Sequence, residues 1–96
     1  MRTGIFVGSF DPFTTGHASV VRRVLPLFDR IVIGVGVNGS KTIMLSDAER
    51  VDAIRRIYRD EPRVSVEAYS CLTVDFALRH DAQYVVKGVR NVRDFE

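Results

Sequence analysis

The chain has 96 residues, enough for one modest domain with a core of its own and too few for two. Its 46% hydrophobic and 27% charged residues are ordinary for a soluble globular domain, and a net charge of +2 without a Lys/Arg-rich block gives no argument for nucleic acid. The single Cys71 allows no internal disulfide, no signal-peptide pattern opens the chain and no apolar run is long enough to span a bilayer, so a cytoplasmic protein is expected.

Ile5-Phe6-Val7, starting as early as Thr3, reads as a short strand buried on both faces, because β-branched and aromatic residues follow one another without alternation. The stretch Gly8-Ser9-Phe10-Asp11-Pro12-Phe13-Thr14-Thr15-Gly16-His17 leaves it. Gly8 is expected to turn the chain off the strand, Pro12 to hold the loop open, Thr14 or Thr15 to cap a helix, and Gly16 to admit a ligand close to the backbone. The helix then runs over about residues 17–25, with Val20, Val21, Val24 and Leu25 on one stripe, continued by Phe28, and Arg22 and Arg23 facing away. Pro26 ends or kinks it.

Residues 30–37 (Arg-Ile-Val-Ile-Gly-Val-Gly-Val) form the second strand, followed by a turn at Asn38-Gly39-Ser40. Ser46 with Glu49 is a capping box. Its helix reaches about Arg59, with Ala48, Val51, Ile54, Ile57 and Tyr58 expected inward. Residues 64–68 make a short strand. Residues 72–79 make a third helix, with Val74, Ala77 and Leu78 as the expected apolar stripe, and residues 83–87 a fourth strand. The order βαβαβαβ with short loops predicts an α/β fold, a Rossmann-like doubly wound parallel sheet with helices on both faces. Ligands of such sheets bind at the carboxyl ends of the strands.

The chemistry concentrates there. His17 falls in a first helical turn, where unpaired N–H groups and the helix dipole favour anions. Ser9 offers a hydroxyl beside Gly8. A strand, a Gly/Ser loop and a helix start carrying a histidine together suit phosphate handling. No convincing Ser/His/Asp triad accompanies them.

The stretch from Gly8 to His17 resembles the (H/T)xGH signature of the nucleotidyltransferase superfamily related to class I aminoacyl-tRNA synthetases. It is similar above all to the phosphopantetheine adenylyltransferase family, which reads G-(S/T)-F-D-P-x-T-x-G-H near its N-terminus. Lys41 and Lys87-Gly88-Val89-Arg90, with Asp94-Phe95-Glu96, fall where that family has further motifs, so the resemblance extends over all 96 residues. It implies transfer of an adenylyl group from ATP to 4′-phosphopantetheine, with release of pyrophosphate. It implies His17 as the donor that steadies the transition state, and Ser9, Lys41 and Lys87 as holders of the substrate phosphate. ATP would be met by Ser9, Phe10, His17, Gly88, Val89 and Arg90, and the pantetheine arm by Thr73. Helix capping is the plainer reading of Thr73.

Lys87 departs from the arginine usual in the family; it keeps the charge and loses the bidentate fork. Mg²⁺ is implied with ATP, bridging phosphates and water, and no protein ligand is assigned to it; Asp11 is expected to organise its loop. The resemblance also implies a homohexamer. The family is longer, its later part carrying a Ser-rich phosphate-binding motif absent from these residues, so residues 1–96 are expected to be the N-terminal portion of a single nucleotidyltransferase domain. Two alternatives remain: a related nucleotidyltransferase with another phosphate acceptor, and a nucleotide-binding fragment without turnover.

Gly34-Val35-Gly36-Val37-Asn38-Gly39 spells GxGxxG but sits in the second strand, away from any helix start, so no dinucleotide site is expected. Gly34 to Thr42 approaches a phosphate-binding P-loop, but Ser40 breaks the Gly-Lys step. His80 and Cys71 lack partners at metal-ligand spacing.

Overall fold

The structure is a computed structural model that describes residues 1–10, 12–37 and 46–86. The chain alternates strand and helix: β1 (Thr3–Gly8), α1 (Thr15–Val24), a short 3₁₀ turn (Leu25–Leu27), β2 (Arg30–Gly36), α2 (Asp47–Ile57), β3 (Val64–Tyr69), α3 (Thr73–Arg79) and β4 (Tyr84–Val86). All pairings are parallel, in the order β3-β2-β1-β4, which makes the protein an α/β Rossmann-like fold.

The register divides the core cleanly. Phe6 pairs with Ile33 and Val86, and Ile33 with Val66. Those side chains share the face covered by α1 and α2, where Val20, Val21, Val51 and Ile54 are buried. Ile5 and Val32 are paired one residue out of phase and point to the other face, where α3 supplies Phe76. β1 and β2 are therefore buried on both faces, as their unbroken apolar runs require. Both β1–α1–β2 and β2–α2–β3 step one way along the sheet, and β3–α3–β4 steps back across it, so the strand order reverses beside β1. Doubly wound sheets bind ligands at such a point.

Two helices differ from expectation. On α2, Val51 and Ile54 face in, but Ala48 is exposed and Ile57 is 54% exposed. The inward stripe instead begins at Arg50, which is 1% exposed. On α3, Val74 and Leu78 are exposed, and Phe76 is the anchor. Its ring stacks on Tyr69 at 4.4 Å and lies over Gly34, where an added Cβ would stand 2.5 Å from Phe76 Cε2. A large flat ring on a glycine fills a single-helix face better than two aliphatic side chains. Gly34 is thus a packing device within β2.

Candidate active site

The chain leaves β1 at Gly8, and the bend is made at Phe10, with φ of +48°. This corrects the expectation for Gly8: no glycine among the described residues has positive φ. Gly8 is needed for close approach, because a Cβ there would come 3.2 Å from the Phe10 ring. A left-handed aromatic residue costs about 1–3 kcal/mol. Burying its ring, here only 3% exposed, returns about 1.5–3 kcal/mol. The two effects are comparable, so packing of the Phe10 side chain suffices to hold the strained turn.

That ring also builds the histidine site. His17 is the third residue of α1, and Thr14 is the N-cap. The Thr14 N–H donates to His17 Nδ1 at 2.9 Å, and the His17 N–H donates to Thr14 Oγ1 at 3.4 Å. This is a capping box with an imidazole in the place usually taken by Glu or Gln. An amide nitrogen always carries its hydrogen, so Nδ1 is the lone-pair nitrogen and the neutral ring bears its proton on Nε2. The imidazole plane is set by Phe10, edge-on at 5.0 Å, with Phe13 at 5.3 Å and Phe6 at 6.2 Å. The backbone bond and the surrounding rings give the imidazole a defined direction. The first turn of α1 contains no acidic residue to offset its dipole.

A cleft of about 520 Å³ opens at the carboxyl end of β1, lined by residues 8–10, Pro12, Thr14 and His17. The structure therefore brings Ser9, Phe10 and His17 into one concavity. Thr73 does not line it. It is the first residue of α3, with Leu72 as N-cap, and its hydroxyl pairs with Tyr69 Oη at 3.3 Å, which corrects the capping reading. Lys41, Lys87, Gly88, Val89, Arg90 and Asp11 lie outside the described residues. Among the described residues no group of three or more His, Cys, Asp or Glu side chains could hold a metal ion. No helix described is long and apolar enough to cross a membrane.

Arg50 is the part of the site that sequence reasoning missed. It reaches from α2 to donate through Nη1 to the carbonyls of Ser9, at 2.7 Å, and Gly36, at 3.2 Å, and through Nη2 to Asp47. Its position four residues before Ile54 placed it on the inward stripe, and an arginine on such a stripe is the signal that could have found it.

A sequence model of the cytidylyltransferase-like family matches residues 5–96. The chain belongs to this family. Relatives of the chain include phosphopantetheine adenylyltransferase of Bacteroides fragilis, 54% identical over 96 residues, and that of Flavobacterium johnsoniae, 49% identical over the same length. Both alignments cover all of this chain, which spans 64% and 63% of the two relatives. In three dimensions the chain is similar to a bifunctional NMN adenylyltransferase/ADP ribose pyrophosphatase of Francisella tularensis, solved with AMP and a Mn ion. The TM-score is 0.65 over 95% of this chain and 38% of that one. At 15% identity that likeness speaks for the fold alone.

Proposed function

We propose that the chain carries the catalytic half-site of an adenylyl transfer from ATP to 4′-phosphopantetheine, forming 3′-dephospho-coenzyme A and pyrophosphate. The observation that carries this reading is the identity of about half the residues, over the whole chain, with proteins named phosphopantetheine adenylyltransferase. The cleft supports it physically. In the reaction an oxygen of the substrate phosphate attacks the α-phosphorus of ATP; a new P–O bond forms, the bond to the β-phosphate bridge breaks, and pyrophosphate leaves. The attacking phosphate is already ionised and needs no strong base. Catalysis therefore rests on bringing two anions together and steadying charge on the equatorial oxygens.

His17, donating from Nε2, is the residue we assign to the α-phosphate in the transition state. Ser9 and the open dipole of α1 would receive phosphate at the same cleft. Lys41 and Lys87 would hold the acceptor phosphate, Thr73 the pantetheine arm, and Phe10 with residues 88–90 the nucleotide. Mg²⁺ would enter as the MgATP complex, carried by the phosphates and water. A homohexamer in the cytoplasm is part of the same reading.

Pyrophosphate release is the test, measured with ATP, Mg²⁺ and 4′-phosphopantetheine beside glycerol 3-phosphate and nicotinate mononucleotide. Turnover with phosphopantetheine alone, lost in His17→Ala, is expected. Turnover with another acceptor would overturn the substrate assignment, and nucleotide binding without turnover on any acceptor would reduce the chain to a binding unit.

A further inference from the structure

Arg50 is 1% exposed, and its guanidinium divides between two backbone carbonyls and one carboxylate. One nitrogen grips the last carbonyl of β2, at Gly36, and the carbonyl just past β1, at Ser9. The other pairs with Asp47, whose side chain is 44% exposed. Nε is buried and has no partner among the described residues. An unpaired buried donor costs about 1–3 kcal/mol, and a buried ion pair can often be replaced by apolar residues without loss of stability. Stability by itself is thus a poor account of an arginine here.

Its geometry offers a better one. A trans peptide is planar, with C=O and N–H on opposite sides. Pinning the Ser9 carbonyl on Arg50 turns the Phe10 N–H away from α2. No residue of α2 lines the cleft, whereas Ser9 and Phe10 do. The same nitrogen anchors the end of β2, from which the chain runs on toward Lys41.

We propose that Arg50 is a positioning residue. It fixes the Ser9–Phe10 peptide so that its N–H faces the anion in the cleft, and it locks the roots of the loops after β1 and β2 to each other. The inference rests on the reading of the cleft as a phosphate site. Arg50 touches no substrate; it acts through the backbone of Ser9.

Three variants test it. Arg50→Met keeps the apolar stem, Arg50→Lys keeps the charge without the fork, and Arg50→Ala leaves room for added guanidinium ion. Each is melted, then compared with the wild type, well below its melting temperature, in backbone amide order parameters by NMR and in affinity for MgATP. We expect a folded Arg50→Met chain in which the Ser9 and Phe10 amides fall from the rigid range of about 0.85 to below about 0.6 while buried β2 amides stay rigid. MgATP affinity falls by up to roughly 10²-fold, the scale of an ångström misplacement, and guanidinium restores it in Arg50→Ala. Should Arg50→Met fail to fold, Arg50→Lys is read in the same way. Unchanged order parameters at Ser9 and Phe10 in a folded variant, or a loosening confined to α2, would overturn the proposal by reducing Arg50 to a helix anchor. A wild type that binds no MgATP would defeat the phosphate reading instead, and the order parameters would still decide whether Arg50 orders the loop.

Discussion

Two helix starts in this molecule share one device and use it for opposite ends. α2 opens with Ser46 and Glu49, α1 with Thr14 and His17, and in both the N-cap side chain and the third residue satisfy each other's backbone N–H. At α2 the third residue is a carboxylate, and Asp47 adds a second acid to the first turn. The positive end of that helix is neutralised from within. At α1 the third residue is an imidazole and no acid is present. The cap is satisfied, and no carboxylate in the first turn offsets the dipole. Replacing a charged partner by a neutral one in an otherwise equivalent box separates a structural helix start from one that can receive an anion.

Exchanging the third residue breaks the comparison most sharply. His17→Glu should keep the box, melt at or above the wild-type temperature, and abolish adenylyl transfer, since it brings a negative charge to the cleft. His17→Ala should lose roughly 10²–10³ in rate, as for removal of one transition-state donor. Pyrophosphate release and thermal melting, run in parallel, check both; activity in His17→Glu near the wild-type level would refute the assignment. Thr14→Ala removes the cap of the same helix. It should cost about 1 kcal/mol of stability and also lower the rate. The imidazole keeps its backbone bond but loses the adjoining hydroxyl, 3.1 Å from Nδ1.

Ser46→Ala is the control at the other helix. A similar loss of about 1 kcal/mol is expected, with the rate in the folded protein unchanged. A clear rate loss would mean that the two helix starts are not separate in function. The smallest effect concerns acid. The Ser46 backbone N–H, and secondarily its hydroxyl, hold the Glu49 carboxyl below its usual value of 4.5. A carboxyl depressed in the folded state stabilises above its unfolded pKa, and the contribution fades as pH falls through the folded value. The melting difference between wild type and Glu49→Gln should therefore be present at pH 6 and shrink below about pH 4.5. Glu49 is fully exposed, so the shift in melting temperature should be slight.

Legibility followed the range of the forces involved. The Ser46 box was readable because four consecutive residues contain all of it. The loop after β1 was readable from its Gly, Pro and Thr residues, and so was the place of His17 in the first turn of the helix that follows. What the same residues hid was the choice of Thr14 over Thr15 and the bend at Phe10, because a left-handed aromatic residue is tolerable only when its ring has somewhere to go. On α3 the stripe of Val74 and Leu78 was a fair pattern, but Phe76 won the inward position, since Gly34 and Tyr69 on two different strands shape a slot for a flat ring. Arg50 followed the helical spacing faithfully and was missed because an arginine is expected in water.

By itself the sequence determined the alternation of strands and helices, the parallel sheet, and the strand–loop–helix stretch that carries His17. These follow from periodicity, capping and turn chemistry, which act over a few neighbouring residues. Only the tertiary structure decided which rings hold the plane of His17, that Phe76 fills the slot over Gly34, and that a guanidinium from α2 ties down the carbonyl of Ser9. The last joins groups 41 residues apart, which packing density, not local preference, brings within bonding distance.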